Sequence, residues 1–109
     1  MRNINLSSDT LLCPCCNKGD YLHHDIVEIF ERREDSGHCL HTLSKGGRTI
    51  TKISAGRGNP SMRRHGVAIG FFCEHCGVRS KMTVAQEKGQ TLVEHCCTFE
   101  KEPGFDDER

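Results

Sequence analysis

Fifteen Lys/Arg against fifteen Asp/Glu leave this 109-residue chain with no net charge, and only 35 % of it is hydrophobic, with eight cysteines and no tryptophan. That length holds one domain and excludes the large two-layer enzyme folds, while the neutral balance excludes a general polyanion binder. So small an apolar fraction gives a thin core, and something besides burial has to support the fold.

In chain order, residues 1–12 read as a loose leader that turns apolar only at Leu11-Leu12. The leader has no apolar h-region, so no signal peptide is expected and the thiols are expected to stay reduced in the cytoplasm. No stretch approaches the roughly 18 apolar residues of a membrane span. Tyr21 to Arg33 fits a helical stripe through Leu22, Ile26, Ile29 and Phe30, but its β-branched Ile26-Val27 and Ile29 predict a long strand. His38–Leu43 and Arg48–Ile53 flank Lys45-Gly46-Gly47, a hairpin signal because both glycines accept positive φ. Ser54 to Arg64 is Gly- and Arg-rich with no hydrophobic period and reads as a loop. Val67, Ile69 and Phe71 alternate with Ala68, Gly70 and Phe72 in a further strand, and Phe71 and Phe72 are both expected in the core. Lys81 to Ala85 alternates likewise, and a second hairpin turns at Glu87-Lys88-Gly89-Gln90 into Thr91–Cys97. The acids after Phe99, with Pro103-Gly104, predict a disordered acidic tail over 99–109. The expected architecture is a mostly β, zinc-ribbon-like antiparallel domain over 13–98 with two C-x-x-C knuckles.

Those knuckles are Cys13-Pro14-Cys15-Cys16 and Cys73-Glu74-His75-Cys76. Four thiolates satisfy a tetrahedral zinc ion, and each C-x-x-C turn brings two sulfurs to it. Gly77 after the second pair suits the turn, and Asn17 after the first tolerates the left-handed conformation. The spacing assigns zinc to Cys13, Cys16, Cys73 and Cys76 and leaves Cys15 as a spare thiol. Cys39, Cys96 and Cys97, with His38, His41 and His95, offer ligands for a second ion. Against that, a cysteine in an alternating strand is more often a small buried hydrophobe, and vicinal Cys96-Cys97 point to opposite faces. A disulfide framework for all eight would require an exported chain.

The charges are sorted along the chain: residues 36–73 hold no acid and six bases, Lys45, Arg48, Lys52, Arg57, Arg63 and Arg64. Arg57, Arg63 and Arg64 sit in the loop, where arginines can grip phosphate or an acidic protein surface through paired hydrogen bonds. The competing expectation is a clasp, with Asn59-Pro60-Ser61 and the arginines tying the loop to the acids of 21–33. A four-cysteine zinc has no open position for water, so catalysis would fall to other residues. His24-Asp25, Gly46-Gly47, Asn59 and His65 between the cysteine pairs supply parts of an HNH-like nuclease using His24. That pattern wants an acid before its first His and a helix after its Asn; here the acid follows, and Pro60 opens a polar loop. A non-enzymatic binding module is the preferred reading. An exposed strand edge such as 38–43 offers pairing between chains.

Asn59-Pro60-Ser61-x-Arg63-Arg64-x-Gly66-Val67, running into Phe72-Cys73-Glu74-x-Cys76, resembles small bacterial and phage-encoded zinc-ribbon proteins. Tyr21 to Glu28 and Ala85 to Glu94 join the same resemblance, which covers about 13–95. It implies a bacterial or phage setting and a zinc-binding domain; it implies no activity. The spare cysteines Cys15, Cys39, Cys96 and Cys97 stand outside its pattern.

Overall fold

A computed structural model describes residues 4–32, 37–62 and 64–98. Within the leader, β1 (Leu6–Ser7) and β2 (Thr10–Leu11) pair as a miniature hairpin around Ser8, which takes a φ of 60°. The remainder is one antiparallel sheet of β3 (Leu22–Glu31), β4 (Cys39–Lys45), β5 (Arg48–Ser54), β6 (Gly66–Cys73), β7 (Arg79–Glu87) and β8 (Gln90–Thr98). The described residues contain no helix, and the ambiguous 21–33 stretch is a strand. The acidic tail expected over 99–109 lies outside the described residues.

Strand order is β5-β4-β3-β6-β7-β8. Every neighbour except β3–β6 is joined by a short connection, so the long insert between the knuckles is one hairpin, β4–β5, laid on one side of β3. Gly46 and Gly47 turn that hairpin with φ of 59° and 80°, and Lys88-Gly89 turns β7 into β8 the same way at 50° and 82°. Two successive positive φ values give the type I′ twist that matches the flanking strands.

Register assigns side chains to faces. On one face lie Ile26, Glu28 and Phe30 of β3, Cys39, His41 and Leu43 of β4, and Gly66 and Ala68 of β6. Gly56 lies against Cys39, Gly58 against Phe30, and Asn59 and Pro60 against Gly66, while Ile26 packs with Leu43 and Ile50; Ile26, Phe30, Cys39 and Ala68 are buried. The Phe30 ring stacks on His41 at 4.2 Å, and His41 Nε2 lies 3.0 Å from Glu28 Oε2, so the buried carboxylate is paired. Cys39 is a buried small residue as the alternation predicts.

Among the described residues the opposite face is covered only at one end, where the segment carrying the first knuckle lies over Phe71, Ser80 and His95. Phe71 is core as expected. Phe72 is not: the pleat turns it to the other face, where it is 38 % exposed. A register shift between His24 and Ile26 sets the start of β3 off from the rest and frees Asp25 to pair with Arg79. The two groups meet through two bonds, 2.7 and 3.1 Å.

Candidate metal centre

The two C-x-x-C turns are built alike. Cys13 N–H donates to Lys18 O and Asn17 N–H to Cys13 O; sixty residues on, Cys73 N–H donates to Val78 O and Gly77 N–H to Cys73 O. The residue after each pair is left-handed, Asn17 at φ 66° and Gly77 at 74°. Asn is the side-chain-bearing residue that tolerates this region best, which is how the first knuckle dispenses with glycine. β6 delivers Cys73 at its last residue and β7 leaves soon after the turn, so the second knuckle is a corner of the sheet. The first knuckle faces it sulfur to sulfur, Cys13 against Cys76 and Cys16 against Cys73.

All four sulfurs of Cys13, Cys16, Cys73 and Cys76 lie within 4.8 Å of one another. The Cys13–Cys76 and Cys16–Cys73 sulfurs are 3.8 and 3.7 Å apart. A tetrahedron with metal–sulfur bonds of about 2.3 Å has edges of about 3.8 Å, so the four thiols fit such an ion. Cys13 and Cys73 are fully buried and the other two partly so. Without a cation the cage shares its protons unevenly. Desolvation raises the Cys73 thiol, but the N–H groups of Cys76 and His75 and the Cys16 and Cys76 thiols outweigh it and bring it to about 7. Desolvation and its three sulfur neighbours push Cys16 up to about 12, against the Lys18 N–H. Four adjacent thiolates therefore need a positive ion to coexist, and a C-x-x-C pair aims N–H dipoles at them as well.

Cys15 is not the spare thiol that the spacing predicts. It is joined in a disulfide to Cys97, with Cα atoms 5.8 Å apart. The reason lies in tertiary register: Cys97 faces the side of the sheet over which the first knuckle folds, while Cys96 points to the other. Only the positions of the strands show this, and local spacing carries no signal for it.

The second candidate ion site is not assembled. Cys39 is on β4 and Cys96 on β8, four strands away, about 19 Å at ordinary strand spacing. Among the described residues, the four-cysteine cage is the one group of three or more ligating side chains close enough to hold an ion.

The basic loop resolves into two parts. Asn59-Pro60-Ser61 is a clasp, although its partners are not the acids of 21–33. Asn59 Nδ2 donates to Arg64 O at 3.0 Å, Ser61 N–H donates to Asn59 Oδ1 at 3.0 Å, and Ser61 Oγ bonds His65 O and receives Gln86 N–H at 2.8 Å. Arg32 adds a bond from its guanidinium to Met62 O and one from its N–H to His65 Nδ1. Of Arg64, the backbone carbonyl alone enters these bonds. Arg57 and Arg64 are exposed, Arg64 beside Gln86, Glu87 and Lys88; Arg63 lies outside the described residues.

The same bonds dissolve the nuclease constellation. Asn59 and His65 are committed to holding the loop, Asp25 to Arg79, and His24 lies edge-on to Phe71 with ring centroids 6.3 Å apart. No helix follows Asn59. Comparison with known proteins adds no further constraint: no family model, no curated protein and no solved structure matches the chain.

Proposed function

We propose that the chain is a non-enzymatic module organised by one structural zinc ion on Cys13, Cys16, Cys73 and Cys76, which presents a basic surface to nucleic acid. The four-sulfur cage carries the first half of this reading. With four protein ligands such an ion keeps no position for water, so it supplies stability and not chemistry. Sulfur-only tetrahedral donors favour zinc over the harder divalent ions. Coupled to folding, such a site is worth on the order of 10 kcal/mol, enough to compensate a core this thin.

The second half rests on charge. β4, β5 and the loop after them are acid-free; Lys45, Arg48 and Lys52 share one face of the β4–β5 hairpin and Arg57 is exposed in the loop, while Arg64 lies apart beside Gln86, Glu87 and Lys88. Native mass spectrometry should find one zinc per chain, lost in Cys76→Ser. Binding to a short duplex or single strand should weaken steeply with salt and fall in the Arg48→Glu, Lys52→Glu, Arg57→Glu triple variant. Salt-independent binding, or none at low ionic strength, refutes the nucleic-acid partner while leaving the metal intact, and an acidic protein surface is then the next candidate.

A further inference from the structure

Among the described residues the sheet has one layer over most of its area, and half of one face has no cover. Register places Val27, Ile29, Ile69, Met82, Val84 and Val93 side by side on that face, across four adjacent strands. Ile53 continues the row on β5. Ile29, Ile53 and Val93 are 41, 63 and 37 % exposed, so three of the chain's large exposed apolar side chains stand on one surface. The gaps between them are filled by hydroxyls that bond one another across strands: Thr42 to Thr51 at 3.4 Å and Ser44 to Thr49 at 3.2 Å. Neither Lys nor Arg occurs on this face among the described residues, and its one acid, Glu31, is at the end of β3. Both the loop and the first knuckle are elsewhere, over the other face and the far end.

We infer that a second copy of this chain covers this face, sheet against sheet, in a two-fold dimer. Charge is the first ground. A surface with no cation repels neither itself nor an apolar partner, and it offers nothing to nucleic acid or to an acidic protein. A self-associating two-fold interface has to tolerate each residue meeting its own copy's neighbours, and a face of aliphatic and hydroxyl side chains does so without like-charge contacts. Area is the second ground. Six strands spaced by about 4.8 Å and three same-face residues along each give a footprint of about 500 Å² per copy. Two copies bury about 1,000 Å², the lower bound for a biological interface. Shape is the third. Two twisted sheets pack face to face at about 30° with aliphatic side chains interdigitating, and the second copy supplies the missing layer that a single sheet lacks. The basic β4–β5 side and the loop stay outside, so the dimer would present two of them.

Analytical ultracentrifugation of the zinc-loaded full chain tests this. The expected result is a species of twice the 12.3 kDa chain mass at micromolar concentration. Ile29→Glu and Ile53→Glu, both at positions already exposed in one copy, should weaken self-association about 30-fold or more. Their circular dichroism and zinc content should match the wild type, which separates lost assembly from lost folding. A wild-type monomer up to about 100 μM overturns the inference. So does a dimer that both variants leave intact while a charge on the outer edge of β8 breaks it, which would place the contact at a strand edge. Removal of residues 99–109 must not raise the association; a monomer that becomes a dimer on truncation would show the chain's own tail to be the cover.

Discussion

Gly66 is the position at which a single methyl group tests the clasp. A Cβ there would overlap Asn59 Oδ1 and stand 2.9 Å from both Cγ and Cδ of Pro60. Pro60 is a ring and cannot rotate aside, so the loop has to lift off β6. Lifting breaks the bonds of Asn59 to Ser61 N–H and Arg64 O, and strains those of Ser61 Oγ to His65 O and Gln86 N–H. At about 1 kcal/mol for each bond lost, Gly66→Ala should destabilise the protein by about 2–4 kcal/mol. Urea denaturation followed by circular dichroism reads this as a lower midpoint with an unchanged slope. Asn59→Ala alone should cost about 2 kcal/mol, and the double variant less than the sum, because removing the Asn59 amide removes part of the overlap. A Gly66→Ala protein within about 0.5 kcal/mol of wild type, or a strictly additive pair, would refute the clasp and leave the loop to other anchors.

Three further outcomes follow from the packing. Phe30→Ala removes a side chain that is 1 % exposed and stacked on His41; a loss of about 3–5 kcal/mol is expected in the same urea titration. His95 is buried, bonded to Ser80 Oγ at 2.9 Å by Nε2 while Nδ1 has no partner among the described residues, and burial pulls its pKa below the ordinary 6.5. The unfolded chain therefore binds more protons below that value, so stability is full above about pH 6.5 and falls as the pH drops toward the folded pKa. His95→Gln should flatten this limb of the stability–pH curve relative to wild type; an unchanged limb would assign it to other groups. Cys97→Ser opens the disulfide and, with the metal cage already shortening the closed loop, should cost about 3 kcal/mol. The wild-type mass should be two hydrogens lighter than that of the reduced chain.

The two knuckles and both hairpins were legible because each is a local event. A C-x-x-C turn is decided within six residues, and Gly46-Gly47 and Lys88-Gly89 set their own φ values. Alternation in 67–72 and 81–85 was likewise enough to find strands. What the residues did not disclose is which strands meet. β3 pairs with β6 across more than thirty residues, and nothing near Leu22 or Cys73 announces it. That pairing and the shift at Asp25 decide that Phe71 is buried while Phe72 is not, since a one-residue slip exchanges faces. Cys15 and Cys97 failed for the same reason: a disulfide 82 residues apart depends on which side of the sheet the first knuckle folds over. Asn59-Pro60-Ser61 was recognisable as a possible clasp, but its partners are backbone groups, which no side-chain sequence can specify.

The disulfide also makes the molecule's integrity independent of its continuity. Cys15 precedes the whole insert and Cys97 follows it, so a single protease cut at Gly56-Arg57-Gly58, in the exposed part of the loop, divides the chain without parting it. The two pieces remain one covalent body, with the four sulfurs split two and two between them. On a gel without reductant the cleaved protein would run as one species, and with reductant as two. The split halves are thereby a natural pair for reassembly, each bringing half of the metal cage and its own strands to the other.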